Sequence, residues 1–141
     1  MPPATPAGVL ARRRQLVLSG DIDGFADLFA PDGVIEGPFT GPPGEPVRLE
    51  GREAIRAYSR QMMASPVELS DLEVTELYQT VDPEVVIVEA RTKGIVTATG
   101  QPFAVPSIQV LRIRDGQILL FRDFVDARAL AAAVGEPHQG S

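Results

Sequence analysis

Four segments rich in Val, Ile, Leu, Phe and Thr follow one another through the second half of the chain, at 69–80, 85–97, 103–114 and 117–125. Each connection carries turn chemistry: Val81-Asp82-Pro83-Glu84, Ala98-Thr99-Gly100-Gln101-Pro102 and Asp115-Gly116. Parallel neighbours would need crossovers of about a dozen residues or more, so connections this short admit only antiparallel hairpins. A chain committed to such a meander must bury one face of the sheet, and only the segment before it is available as cover.

That preceding segment reads as helical. Val9, Leu10, Arg13, Leu16 and Val17 recur near helical spacing, and Ser19-Gly20 supplies a stop. Asp21 then offers an N-cap for a shorter helix carrying Ile22, Phe25, Leu28 and Phe29, ended by Pro31-Asp32-Gly33. A short strand is expected at 34–37, then a Gly- and Pro-rich loop at 38–46 of the kind that lines pocket mouths. A third helix at 51–64 groups Ile55, Tyr58, Met62 and Met63 on one side and Arg52, Arg56 and Arg60 on the other. Residues 127–134 form a small closing helix. Helices first and strands after specify an α+β fold, a curved antiparallel sheet packed on N-terminal helices around an apolar pocket. At 141 residues there is enough chain for one core and too little for two. The expected organisation is a flexible Pro-rich arm at 1–7, one domain at 8–134 and a flexible tail at 135–141.

Composition removes several classes of function. A net charge of −6 with dispersed acidic groups argues against nucleic acid, and the one basic run, Arg12-Arg13-Arg14, reads as a solvated or dimer-facing patch. With no cysteine, disulfides, thiolate metal sites and cysteine nucleophiles are excluded. The single histidine, His138, sits in the tail, which removes His-ligated metal and His-dependent triads. No Gly-rich loop follows a strand and opens a helix, so no cofactor is expected. No apolar run approaches the roughly 18 residues of a membrane span and nothing resembles a signal peptide, so the expected setting is cytoplasmic, away from any membrane.

Alternation along the strands then selects candidate site residues. In the last strand Leu119, Phe121, Asp123 and Val125 share one side, and Arg122, Phe124 and Asp126 the other. A carboxylate among apolar neighbours has its pKa raised and suits acid–base work near neutral pH; a buried Asp satisfied by an Arg is the competing reading. Gln109 shares a face with Leu111 and Ile113, so its amide needs a partner, either a ligand carbonyl or a side chain such as Asp123. In the strand before it, Val86, Val88, Ala90 and Thr92 form an inner row, and Ile87, Glu89, Arg91 and Lys93 a row facing solvent or a partner subunit. Tyr58 either donates to a ligand oxygen or completes the core. Phe29, Phe39, Met62 and Met63 are pocket lining or plain core.

An ordered set of short motifs carries a family resemblance. These are Ser19-Gly20-Asp21-Ile22-Asp23-Gly24-Phe25, the run from Leu28-Phe29-Ala30-Pro31 to Glu36-Gly37-Pro38, Leu49-Glu50-Gly51-Arg52-Glu53-Ala54-Ile55, Arg114-Asp115-Gly116-Gln117-Ile118 and Phe121-Arg122-Asp123-Phe124-Val125-Asp126. Over residues 8–134 the chain resembles the nuclear-transport-factor-2-like superfamily, specifically its SnoaL-like branch of polyketide cyclases. The resemblance implies a cone-shaped α+β barrel with a central pocket, and a homodimer formed through the outer sheet face. It places Asp123 where SnoaL-like cyclases, limonene-epoxide hydrolase and the phenazine-biosynthesis proteins carry an acidic catalytic residue. It places Tyr58 at a pocket histidine of the phenazine proteins, and Gln109 near an oxyanion-binding Asp of ketosteroid isomerase.

Departures from the pattern narrow the chemistry. The isomerase's general base aligns with Gly37 and its oxyanion Tyr near Arg13, which argues against that isomerisation. The hydrolase triad is incomplete at Arg91-Thr92-Lys93-Gly94. Small or apolar residues at Gly37 and Ala90 leave a wide apolar cavity. The expected function is therefore a cofactor-independent cyclase or isomerase of a bulky apolar small molecule, a polyketide-type intermediate. Asp123 and Tyr58 would be catalytic, and Gln109, Phe39, Met62, Phe121, Ala90, Phe29 and Gly37 would bind substrate. A non-catalytic binding module of the same fold and an epoxide hydrolase are the alternatives.

Overall fold

A computed structural model describes residues 5–42 and 44–133. Helix α1, Pro6–Ser19, opens on Thr5, whose side chain accepts from the Gly8 N–H at 3.1 Å, with Pro6 in the first turn, where its missing N–H costs nothing. It closes on Gly20 at φ 71°, a left-handed cap suited to glycine. Pro6 and Ala7, expected in the N-terminal arm, are therefore helical, while residues 1–4 lie outside the described chain. Helix α2, Ile22–Asp27, is capped by Asp21, which accepts from the Gly24 N–H at 2.8 Å. The remaining elements are β1 Phe29–Gly37, β2 Val47–Glu50, α3 Arg52–Met63, β3 Val67–Gln79, β4 Val85–Val96, β5 Pro102–Arg114, β6 Gln117–Val125 and α4 Ala127–Ala133. The tail expected at 135–141 falls outside the described residues. No helix among the described residues is long and apolar enough to cross a membrane.

The six strands form one curved, unclosed sheet in the order β2-β1-β6-β5-β4-β3. Strands β3 to β6 make the expected antiparallel meander, but β1 lies parallel to β6, so the sheet is mixed. Two features differ from the sequence expectation on the β1 side. Strand β1 begins at Phe29 and runs through Pro31-Asp32-Gly33, with a register shift between Phe29 and Val34 that accommodates the break. The loop expected to continue to residue 46 is followed by the four-residue strand β2, which pairs Val47 with Gly37 and Glu50 with Val34.

Curvature has local causes in β3 and β4. Register shifts in β3 between Leu69 and Asp71 and between Val74 and Glu76 bend that strand against β4. Gly94 permits the close approach at the bend: a Cβ there would lie 2.4 Å from the Glu68 carbonyl oxygen and 2.9 Å from the Phe103 ring. The concave face packs against α1, α2 and α3. Val9, Leu10 and Leu16 meet Phe29, Ile55, Val86, Val88, Leu111 and Ile118, all buried in one cluster. Each such side chain contributes about 1.5–3 kcal/mol. The helices are thereby pinned over the inner rows of β4, β5 and β6.

Candidate functional site

Cross-strand register assembles the site on that inner face. Gln109 of β5 lies opposite Asp123 of β6 and Val88 of β4; Ser107 lies opposite Ala90, and Leu111 opposite Phe121. Directly paired residues share a face, so these side chains form a continuous patch. A bulge in β6 decides which residues belong to it. The register shifts between Arg112 and Ile113, so that Ile118, not Leu119, faces inward and is fully buried. Strict alternation put Leu119 in that row; the extra residue breaks the period on the N-terminal side of Phe121 and leaves Phe121 and Asp123 in place.

Helix α1 lowers Arg13 onto the patch. The three consecutive arginines separate by helical geometry. Arg12 is exposed, reaching Gln15 at 3.4 Å, and Arg14 is exposed, paired with Asp71 at 2.8 Å. Arg13, at 1% exposure, points inward with Val9, Leu10 and Leu16. The sequence reading of the whole run as a surface patch is therefore corrected for its central member. The signal was present, because residue 13 keeps the helical spacing of the apolar residues around it.

Arg13 is held on two sides. Its Nη1 donates to Gln109 Oε1 at 2.8 Å, and its guanidinium carbon lies 5.2 Å from the centre of the Phe121 ring. The Gln109 amide donates in turn to Ser107 Oγ at 3.4 Å. Gln109 thus finds partners in Arg13 and Ser107, which were not anticipated for it, beside the Asp123 that was; Ser107 continues the 109, 111, 113 alternation and could have been found that way. Three buried polar atoms have no hydrogen-bond partner among the described residues: Arg13 Nε, Arg13 Nη2 and Asp123 Oδ1.

Both charges are disturbed by this setting. Burial raises the Asp123 carboxyl from 3.8 to about 6, against the downward pull of the Arg13 charge and of hydrogen bonding from Ser107 and Gln109. Burial lowers the Arg13 guanidinium to about 10, partly offset by the Asp123 charge. A carboxyl group with a pKa near neutrality, facing a fixed cation, can both remove and return a proton at ordinary pH.

Other predicted site residues lie at varying remove. Ala90 and Phe121 are in the patch. Ala90 and Ser107 also line an open groove of about 360 Å³ with Phe39, Glu89, Pro106, Ile108, Phe124, Val125 and Asp126. Phe39 is 64% exposed and stacks edge-on against Phe124 at 5.5 Å, a groove-mouth residue and not interior lining. Met62, in the last turn of α3, is 51% exposed, and an interior lining role for it does not fit. Phe29 is fully buried and packs edge-on against Phe25 at 5.4 Å, within the core. Tyr58 is half-buried on α3, and its hydroxyl makes no hydrogen bond to the Arg13–Gln109–Asp123 group. Gly37 is buried, and the Thr40 hydroxyl fills the space a side chain there would take. Among the described residues no three His, Asp or Glu side chains cluster as a metal site would require.

Comparison with known proteins bears on the fold and the family. The model of the SnoaL-like domain family matches residues 11–121. An uncharacterised PhzA/B-like protein of Pseudomonas aeruginosa is 43% identical over 117 residues, 82% of this chain and 80% of that one. A Bacillus subtilis protein provisionally named an isomerase has a solved structure with TM-score 0.83 and 29% identity, covering 93% of each chain. IdmH of Streptomyces antibioticus, provisionally named a polyketide cyclase, superimposes with TM-score 0.72 at 26% identity, covering 92% of this chain and 98% of that one.

Proposed function

The chain belongs to the SnoaL-like domain family, and from that premise we propose that it is a cofactor-independent cyclase or isomerase acting on a bulky apolar small molecule of polyketide type. The observation that carries this reading is the Asp123 carboxyl, largely buried beside a cation with one buried oxygen unpartnered and its pKa raised to about 6. In the proposed reaction Asp123 takes a proton from a carbon next to a substrate carbonyl. The C–H bond breaks, an O–H bond forms on Asp123, and the electron pair moves onto the carbonyl oxygen, where hydrogen-bond donors stabilise it. Return of the proton to a different carbon completes an isomerisation. Attack of the enolate carbon on a second carbonyl, whose oxygen then takes the proton from Asp123, completes a ring closure. Both routes restore the carboxylate without an external reagent, and the apolar side chain of Phe121 beside Asp123 favours a folded substrate.

The proposal includes one domain at 8–134 in a cytoplasmic homodimer without nucleic-acid or membrane partners. Support for a dimer comes from the convex face, where Ile108 is 51% and Ile95 37% exposed. The test of the chemistry is deuterium exchange into an aromatic 1,3-diketone in heavy water, followed by proton NMR. Wild type should accelerate exchange and Asp123→Asn should not. Equal rates would remove Asp123 from the chemistry.

A further inference from the structure

The proposed reaction leaves part of the interior unexplained. Among the described residues Arg13 is the one charged residue that is fully buried, and burying a guanidinium is costly unless its donors are satisfied. Only Nη1 is engaged by Gln109, while Nε and Nη2 have no partner among the described residues. In a guanidinium, Nε–H and the adjacent Nη2–H lie along one edge and point the same way, the fork that receives the two oxygens of a planar anion. Gln109 fixes the opposite side and Phe121 supports the face, so the free edge is held in a defined plane. Asp123 does not fill it, since no ion pair joins the two residues.

We infer that the natural ligand carries a carboxylate, bound in two-point fashion by the Nε and Nη2 edge of Arg13. This rests on the reading of the Asp123 face as a ligand site. A carboxylate fits better than a phosphate: the fork is planar, it supplies a single positive charge, its neighbours include Val88, Leu111 and Phe121, and a second carboxyl group, Asp123, stands close by. A dianion would be left half-neutralised in apolar surroundings. The same proximity gives the binding event a signature. A ligand anion beside Asp123 disfavours its ionised form, so binding should draw a proton onto the protein near pH 6 to 7. The charged groups facing this position are Arg13 from α1 and Asp123 from β6; β4 and β5 present Val88, Ala90, Ser107 and Gln109.

The probes are 2-naphthoate, 2-naphthamide and 2-naphthyl phosphate, titrated calorimetrically into the full chain in two buffers of different ionisation enthalpy. Naphthoate should bind on the order of ten- to a hundredfold more tightly than the amide, the difference a charge-assisted two-point contact makes. Its binding heat should report proton uptake. Arg13→Met should abolish the preference for the carboxylate, and should that variant fail to fold, the Arg13 Nε resonance of wild type should shift with naphthoate and not with the amide. Equal affinity for acid and amide, a preference surviving in Arg13→Met, an unmoved Arg13 resonance or tighter binding of the phosphate would each overturn the inference. Asp123→Asn keeps the carboxylate preference while losing proton exchange, so failure of the anion site is distinguishable from failure of the proposed chemistry.

Discussion

Replacing Asp123 by Asn should stabilise the protein at alkaline pH, and the size of the gain follows from the site. The folded-state pKa of about 6 lies above the ordinary 3.8. Folding therefore takes up protons between about pH 4 and pH 6, and stability is lost as pH rises through that window. Below it the carboxyl is neutral in both states and contributes nothing. A difference of roughly two units at about 1.4 kcal/mol each gives a cost of about 3 kcal/mol once the group is ionised. The attraction from Arg13 is already contained in that net value. Asn has the shape of the neutral acid and escapes the penalty, so its advantage over wild type should grow from near zero at about pH 3.5 to about 3 kcal/mol at about pH 8. Urea denaturation at a series of pH values reads this as a midpoint difference of roughly 1–3 M at the alkaline end. A wild-type-to-variant difference that stays flat with pH, or an Asn variant less stable at pH 8, would refute the placement of an ionisable carboxyl in an apolar interior.

Three further changes probe the surroundings. Gln109→Leu removes the acceptor for Arg13 Nη1 and leaves a buried guanidinium with no acceptor for that nitrogen; a loss of about 1–3 kcal/mol is expected in urea denaturation, and an unchanged midpoint would contradict the buried placement of Arg13. Gly94→Ala drives a methyl against the Glu68 carbonyl and the Phe103 ring and should cost about 1–3 kcal/mol through strain at the bend, measured as a lowered thermal midpoint. Ile108→Glu puts a charge on the exposed convex face; if that face joins two copies, sedimentation equilibrium will show a shift toward monomer with little change in the circular dichroism of the fold.

Local signals and non-local ones were unequally legible in the sequence. The β3 to β6 meander could be read because its turns are short and its strands β-branched, and the shared face of Gln109 and Asp123 followed once the period of two was applied. The bulge at Leu119 escaped because one additional residue in a strand leaves composition unchanged while moving Ile118 inward. Strand β2 escaped because four residues after a Pro-rich loop carry almost no periodic signal, and the parallel β1–β6 pairing joins Ile35 to Phe121, positions far apart in the chain. Arg13 was misread for a different reason. A run of three identical charges suggests one environment, whereas a helix rotates successive residues by about 100° and gave these arginines three. The buried cation and the carboxyl that define the site came from the two ends of the chain, and only the fold brings them onto one face.

The most direct test of the account is a carbon-13 NMR titration of the Asp123 carboxyl, with and without 2-naphthoate. The account predicts an apparent pKa of about 6 that moves upward when the naphthoate binds. A carboxyl that titrates near 3.8 and ignores the ligand would contradict it, because Asp123 would then face water and the interior face of the sheet would hold no proton-transfer group.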